Sequence, residues 1–408
     1  MDSRISRLTA LPLVAWMLAG TLTATGQSLQ GGDFVTASLS NKTVFSVSRS
    51  GVVTTLISGS PLVQPTGLAV TATPEVIVTD YAGTLYRIPS PGTIVQVVAG
   101  ISGPIRVAVD QDGDLMVTSL TGPALLSVTP GGVISTIFSG LPFRRPFGVA
   151  VDGSGDYLVA DDSVDALFRV TPGGRITTVH QGLPFRLPQG VAVRPDGDFA
   201  VSDGIVDAIF RVARGGGAVV TLIQSPPLGN PDGITEDFEG RIAVSESGNP
   251  LGDRLVEVDV TGSLSTISAG APFSNLEDLS RIPRLTGPNL GRAGQKHRFL
   301  LRFPGEGGLF YVMFACFSLY PGFGLPSPDV RATPCNPDPL FFLTLGANNP
   351  IFTRWAGVLS ATGLGTPELN APNVTLPPGL KLFIQAVTID PTAPSGIRSL
   401  SNVHVIGF

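Results

Sequence analysis

One short unit recurs five times along this chain and limits the fold more than any other feature. It reads Pro65-Thr66-Gly67-Leu68-Ala69-Val70, Pro104-Ile105-Arg106-Val107-Ala108-Val109 and Pro146-Phe147-Gly148-Val149-Ala150-Val151. It returns as Pro188-Gln189-Gly190-Val191-Ala192-Val193 and, with drift, as Pro231-Asp232-Gly233-Ile234. The prolines stand 39, 42, 42 and 43 residues apart, the period of four-stranded propeller blades. Each unit continues on one plan. A polar turn such as Asp196-Gly197-Asp198 leads to a second apolar strand that closes on Asp or a substitute, as in Leu158-Val159-Ala160-Asp161. A third strand, Leu167-Phe168-Arg169-Val170, and a β-branched fourth, Arg175-Ile176-Thr177-Thr178-Val179, flank the turn Thr171-Pro172-Gly173-Gly174. There Pro presets φ, Gly accepts positive φ, and the β-branched residues suit a pleated surface.

The ends of the repeat predict how the ring closes. Residues 33–58 carry strands two to four of a blade without its first strand. Asn275-Leu276-Glu277-Asp278-Leu279-Ser280 aligns with Asn230-Pro231-Asp232-Gly233-Ile234-Thr235, and there the repeat stops. Together they make a sixth blade. The expected fold is therefore all-β: a six-bladed propeller over 31–282, closed by strand exchange between 33–58 and 276–282, which removes open sheet edges. Residues 283–295, rich in Pro and Gly, read as a linker. Residues 296–408 lose the period and show six or so apolar strands, the pattern of a small β-sandwich. In it Trp355 and Tyr320 are candidates for a carbohydrate face or for plain core.

Composition supports this. The 50 glycines and 36 prolines fall periodically, which marks many tight turns rather than disorder. A net charge of -5 leaves no basic footprint for nucleic acid and no polybasic patch for a membrane. Residues 1–28 read as a signal peptide: Arg4 and Arg7, an apolar run over 8–22, then small residues at Ala24-Thr25-Gly26. The apolar run is short of the roughly 20 residues that span a bilayer. An uncleaved anchor is the alternative. The expected product is exported, secreted or periplasmic in a bacterium, monomeric and without a membrane span after cleavage. In that oxidising setting Cys316 and Cys335 are expected to form a disulfide, with two separate buried thiols as the alternative.

The variable residue of each Pro-x-Gly turn precedes the innermost strand and is expected at the mouth of the central channel. Around the ring these are Thr66, Ile105, Phe147, Gln189, Asp232 and Glu277. Asp232 and Glu277 lie on neighbouring blades. With Gln189, and with help from Asn230, Asn275 and Asp278, they could offer oxygen ligands to Ca²⁺ or another divalent metal. The plainer reading is that they cap turns or hold water. A second ring closes the second strands: Ser38, Asp80, Ser119, Asp161, Asp203 and Glu246. Carboxylates there are expected to accept backbone N–H bonds, a structural task. Asp162, Asp165 and Asp207 add negative charge around blades 4 and 5. Nucleophilic catalysis finds little support, because His180, His297 and His404 fall outside the inner strands and channel loops. No nucleophile elbow, phosphate loop or dinucleotide fingerprint occurs in a suitable context.

The units Gly148-Val149-Ala150-Val151, Asp156-Tyr157-Leu158-Val159-Ala160-Asp161 and Leu167-Phe168-Arg169-Val170 resemble NHL repeats. The same blade pattern is similar to that of the gluconolactonase and senescence-marker family and of streptogramin-lyase-like propellers, over about residues 31–282. The stretch Leu382-Phe383-Ile384-Gln385-Ala386-Val387 with Ser401-Asn402 resembles an appended C-terminal β-module of secreted bacterial proteins. For a gluconolactonase-like enzyme the resemblance implies one divalent metal on the axis, held by Glu, Asn and Asp. Asn230-Pro231-Asp232-Gly233 is similar to that family's Pro-Asp-Gly. The match is incomplete: Gln189 stands where the family has Asn, and Thr66 where it has its early Glu. The streptogramin-lyase likeness implies a channel histidine, for which this chain has no candidate. The expected function is a secreted binding protein that uses the channel face for a protein, glycan or small ligand. The alternative is a metal-dependent lactonase or esterase with Asp232 and Glu277 as ligands and Gln189 as a third.

Overall fold

The computed structural model describes residues 29–286 except 238 and 249–251, and residues 295–407 except 304–305, 317–318, 325–331, 336–351, 354, 371–380, 394–396 and 402. For 316–335 it describes the backbone alone. Residues 1–28, read above as a signal peptide, lie outside the described residues.

Every Pro-x-Gly unit forms the innermost strand of a four-stranded antiparallel sheet. Blades 2 to 6 start with Pro65–Val70, Pro104–Val109, Pro146–Val151, Pro188–Val193 and Pro231–Glu236. Blade 1 is composite. Its inner strand, Leu276–Arg281, comes from the far end of the repeat and pairs antiparallel with Phe34–Ser38, Phe34 facing Arg281 and Ala37 facing Asp278. Thr43–Val47 and Val53–Ser58 complete it. The ring is thus closed by strand exchange between its two ends, as the repeat predicts.

Burial follows radial position. The second strand of each blade is buried throughout, as in Tyr157–Asp161 and Phe199–Asp203, because both its faces meet neighbouring blades. The fourth strands, such as Ile176–Gln181, are largely open to solvent. That difference explains continuous apolar runs inside and alternation outside. Hydroxyls clamp blade to blade: Thr79 Oγ1 donates to Ile105 O at 2.9 Å, Thr118 Oγ1 to Phe147 O at 2.6 Å, and Ser202 Oγ to Asp232 O at 2.5 Å. Each bond runs from a second strand to the inner strand of the next blade. The clamps therefore set the spacing of the channel wall.

The second acidic ring has the structural role expected of it. Asp161 accepts from Arg144 N, Arg145 N and Ser163 N. Asp203 does the same for Arg186, Leu187 and Ile205. Asp80 does so for Val63, Gln64 and Ala82.

Beyond the ring lies a second all-β unit. Phe310–Cys316 and Lys381–Ile389 form the centre of one sheet, flanked by Ala356–Val358, Ile397–Leu400 and His404–Gly407. Met313, Ile384 and Ala386 of this sheet share a core with Leu301, Leu369 and Trp355. Trp355 is 3 % exposed, and its Nε1 donates to Glu368 O at 2.8 Å. Its ring is core, so the carbohydrate face has no Trp355; the Tyr320 side chain lies outside the described residues. Leu285–Thr286, inside the stretch read as a linker, pairs with Leu300–Arg302, and Leu285 is fully buried. This unit therefore draws on the chain before residue 296. Cys316 and Cys335 each end a strand, and Cys335 faces Leu319 across an antiparallel pair; their side chains lie outside the described residues.

Acids and arginines join the two units on the lower face of the ring. Glu239 of blade 6 accepts from Arg284 Nη1 and, at 3.2 Å, from Leu400 N. Arg284 Nη1 also donates to Leu400 O at 2.9 Å. Arg241, Arg49 and Arg281 surround Asp237 and Glu257 beside this contact.

Candidate functional site at the channel mouth

At the third position of the repeat the inner strands come so close that most blades carry glycine. A Cβ on Gly148 would stand 2.2 Å from Gln189 O, and one on Gly190 2.5 Å from Asp232 O. Around the ring this position holds Gly67, Arg106, Gly148, Gly190, Gly233 and Asp278. The two exceptions carry charge, and they decide the character of the channel.

Arg106 is 3 % exposed. Its guanidinium reaches across the axis from blade 3 to blade 6, where Nη2 pairs with Asp232 Oδ1. Nη1 donates to Thr66 O and Nη2 also to Glu277 O. Nε lies 3.8 Å from Asp278 Oδ2, and Cζ sits 4.7 Å from the centre of the Phe147 ring. Asp278 is otherwise held by Leu68 N at 2.8 Å and Leu279 N at 2.9 Å. Arg106 thus separates a mouth cavity of about 380 Å³ from a lower chamber of about 260 Å³. The lower chamber is walled by Val70, Val109, Val151 and Val193.

All six residues expected at the mouth line that upper cavity: Thr66, Ile105, Phe147, Gln189, Asp232 and Glu277. Their neighbours divide it into sectors. Blades 3 and 4 contribute Ile105, Leu120 and Phe147, an apolar wall with Arg145 at its edge, where it pairs with Asp162. Blades 5, 6 and 1 contribute Gln189, Asn230, Asp232, Ser247 and Glu277. Asn230 Nδ2 donates to Ser247 O at 2.6 Å, leaving Asn230 Oδ1 turned toward Gly204. Among the described residues Gln189 Oε1 is buried without a hydrogen-bond partner. A Cβ on Gly204 would lie 2.5 Å from Gln189 Oε1 and 2.8 Å from Asn230 Oδ1, so two acceptors converge there.

The acids of this region hold their protons unusually well. Burial raises Glu277 to about 7, with Asp232 adding to the rise and Arg106 opposing it. Burial raises Asp278 to about 6 against the pull of Arg106. Asp232 is raised by burial and drawn back by Arg106. For Arg106 itself burial works against the charge, but Asp232, Asp278 and Glu277 outweigh it and raise its pKa. Beside the mouth, burial pushes Asp162 up to about 6, opposed by Arg145, whose Nε stands 3.4 Å from Asp162 Oδ1.

A divalent metal on Asp232, Glu277 and Gln189 does not fit this arrangement. The guanidinium of Arg106 already binds Asp232, and Asn275 Nδ2 donates to Glu277 Oε1 at 3.0 Å. A dication among these oxygens would lie against a fixed positive charge, whereas hard cations select unopposed oxygen donors. Among the described residues no group of three or more His, Cys, Asp or Glu is placed to hold a metal. Arg106 is the residue that reading the mouth positions alone misses. The signal for it was present: Arg106 and Asp278 interrupt the glycines of the repeat with opposite charges. His180 lies on an outer strand with Nε2 3.1 Å from Leu183 O, away from the channel.

No family model matches this chain, and no curated protein matches it. Solved structures do match. A chain of a nidogen/laminin complex aligns with a TM-score of 0.55 at 14% identity, covering 62% of this chain and 98% of that one. A protein of unknown function from Bacteroides caccae aligns with a TM-score of 0.50 at 13% identity, covering 62% and 99%. Virginiamycin B lyase from Staphylococcus aureus aligns at 0.44 and 17% identity, covering 65% and 80%. The likeness is one of fold. At such identities the shared propeller leaves activity to be argued from the site.

Proposed function

We propose that this protein is a metal-independent binding protein whose ligand enters the channel mouth and rests on the Arg106 plug. One observation carries the reading: the guanidinium of Arg106 occupies the axis and engages Asp232, the carboxylate a metal hydrolase would need free. The apolar wall of Ile105, Leu120 and Phe147 facing a wall of acceptors gives the cavity the make-up of a small-molecule or side-chain pocket. Export, suggested by residues 1–28, belongs to the same proposal and would place the pocket outside the cytoplasm.

The test is a thermal-shift titration of the full mature chain with Ca²⁺, Mg²⁺, Mn²⁺ and Zn²⁺ and with a chelator, beside a fragment screen by saturation-transfer NMR. The expected result is an unchanged melting temperature with metals and chelator, and fragment hits that vanish in Leu120→Trp, which fills the cavity from its rim. A stoichiometric metal lost in Asp232→Ala would overturn the reading and return the hydrolase alternative.

A further inference from the structure

Resting on the mouth-binding reading, we propose that the ligand carries a primary ammonium on a short apolar stem. Its charge sits between Glu277 and the acceptors of blades 5 and 6, and its stem lies on Ile105, Leu120 and Phe147.

The argument is one of charge matching inside a closed wall. Arg106 is hydrogen-bonded to Asp232, and Arg145 Nε stands 3.4 Å from Asp162 Oδ1. Asp278 is taken up by two backbone N–H groups and by the flank of Arg106. Glu277 is different. Its side chain receives only the neutral amide of Asn275, while Arg106 donates to its backbone oxygen. Among the described residues its carboxyl forms no ion pair, and the charge of Arg106 only reaches it from the side of Asp232. Gln189 Oε1, on the same wall, has no donor among the described residues, and Asn230 Oδ1 turns to the same spot beside Gly204, because Asn230 Nδ2 is committed to Ser247. An unmet acceptor, Gln189 Oε1, on the same cavity wall as an unmatched carboxyl calls for a group that is all donor and positively charged, and an ammonium is that group. A carboxylate ligand would meet Asp232 and Glu277 on this wall, and the cation across the cavity, Arg145, is held by Asp162. The apolar wall opposite demands a stem that gives up little on leaving water.

The chemistry could come from a free alkylamine or from a lysine side chain of a peptide, so both are probed. Calorimetry on the full mature chain at pH 8 would compare pentylamine, 1-pentanol, pentanoate and N-acetyl-lysine methylamide. Pentylamine is expected to bind at least about tenfold more tightly than pentanol, and pentanoate not to bind. Glu277→Gln should weaken the amine about tenfold and leave pentanol unchanged. Because burial sets Glu277 at about 7, amine affinity should fall about tenfold from pH 8 to pH 6. In Glu277→Gln that dependence should shrink to the remainder left by Asp278 and Asp162, both at about 6. Arg106, Asp232, Asp278 and Asn275 face Glu277 in both proteins, so the difference isolates its proton. Binding of the lysine derivative as tightly as pentylamine assigns the site to a peptide side chain; binding of pentylamine alone assigns it to a small amine.

Pentanol or pentanoate binding as well as pentylamine, and blocked by Leu120→Trp, would overturn the ammonium assignment and leave the mouth reading standing. Amine binding untouched by both Glu277→Gln and Leu120→Trp would overturn both. Failure of every probe overturns the ammonium, and the metal and fragment titrations then decide the mouth by themselves.

Discussion

Replacing Arg106 with methionine keeps the length of the plug and deletes its charge. The guanidinium serves Asp232 Oδ1, Thr66 O and Glu277 O and offsets Asp278. Without it two carbonyls and three carboxyl groups face each other across a buried axis. Breaking a buried pair from one side costs about 3–5 kcal/mol. For a domain of this size that lowers the melting temperature by about 6–20 °C. The loss should depend on pH in a defined direction. Asp232, Glu277 and Asp278 already have raised pKa values in the folded protein, and the variant raises them further. The folded state then binds more protons than the unfolded one, so stability falls as pH rises. At pH 5 the acids are neutral and the cost shrinks to lost hydrogen bonds, about 1–2 kcal/mol. Heat denaturation of wild type, Arg106→Met and Arg106→Met/Asp232→Asn at pH 5 and pH 8 reads this directly. The double variant should recover part of the loss at pH 8. A single variant within about 2 °C of wild type at pH 8, or an equal loss at both pH values, would refute the reasoning.

The intact protein should show the same sign more weakly. Glu277 at about 7, Asp278 at about 6 and Asp162 at about 6 contribute stability below their unfolded values that is lost as pH rises through 6–7; a melting temperature no lower at pH 8 than at pH 5.5 would contradict this. Gly148→Ala drives a Cβ to 2.2 Å from Gln189 O and should cost about 2–3 kcal/mol in urea denaturation, whereas Gly215→Ala, with open space around it, should stay within about 0.5 kcal/mol. Asp161→Ala removes the acceptor of three backbone N–H groups and should cost about 3 kcal/mol by the same assay. Glu239→Ala cuts the contact to Arg284 and Leu400; calorimetry should then resolve two unfolding transitions, and a single unshifted transition would count against this contact as the coupling between the units.

The fold was legible because its elements repeat. A proline every 42 or so residues marks each inner strand, and a blade lacking its first strand at one end with an orphan first strand at the other leaves one way to close the ring. The mouth was legible for the same reason: equivalent positions in equivalent blades meet at one radius. What the repeat could not convey is what happens where a side chain leaves its blade. Thr66 to Glu277 look like a free ring until Arg106, one position further along, crosses the axis and takes Asp232. Periodicity ranks that arginine as drift from glycine; only its reach across the channel makes it the plug. The start of the second unit was hidden differently. Leu285–Thr286 is two residues long, too short for any alternation to register, and its burial depends on Leu301 and Phe303 downstream.

The composite blade also orders events in time. Phe34–Ser38 is among the earliest strands to be synthesised, and its partner Leu276–Arg281 among the last of the ring. Until residue 281 emerges, the nascent chain is an open crescent in which Phe34–Ser38 lacks its inner partner, and such an edge invites pairing with other chains. A stop codon anywhere between blade 2 and residue 276 would therefore yield a chain with well-formed blades and no latch. Its fate would be set by aggregation at Phe34–Ser38 more than by any loss within the blades already made.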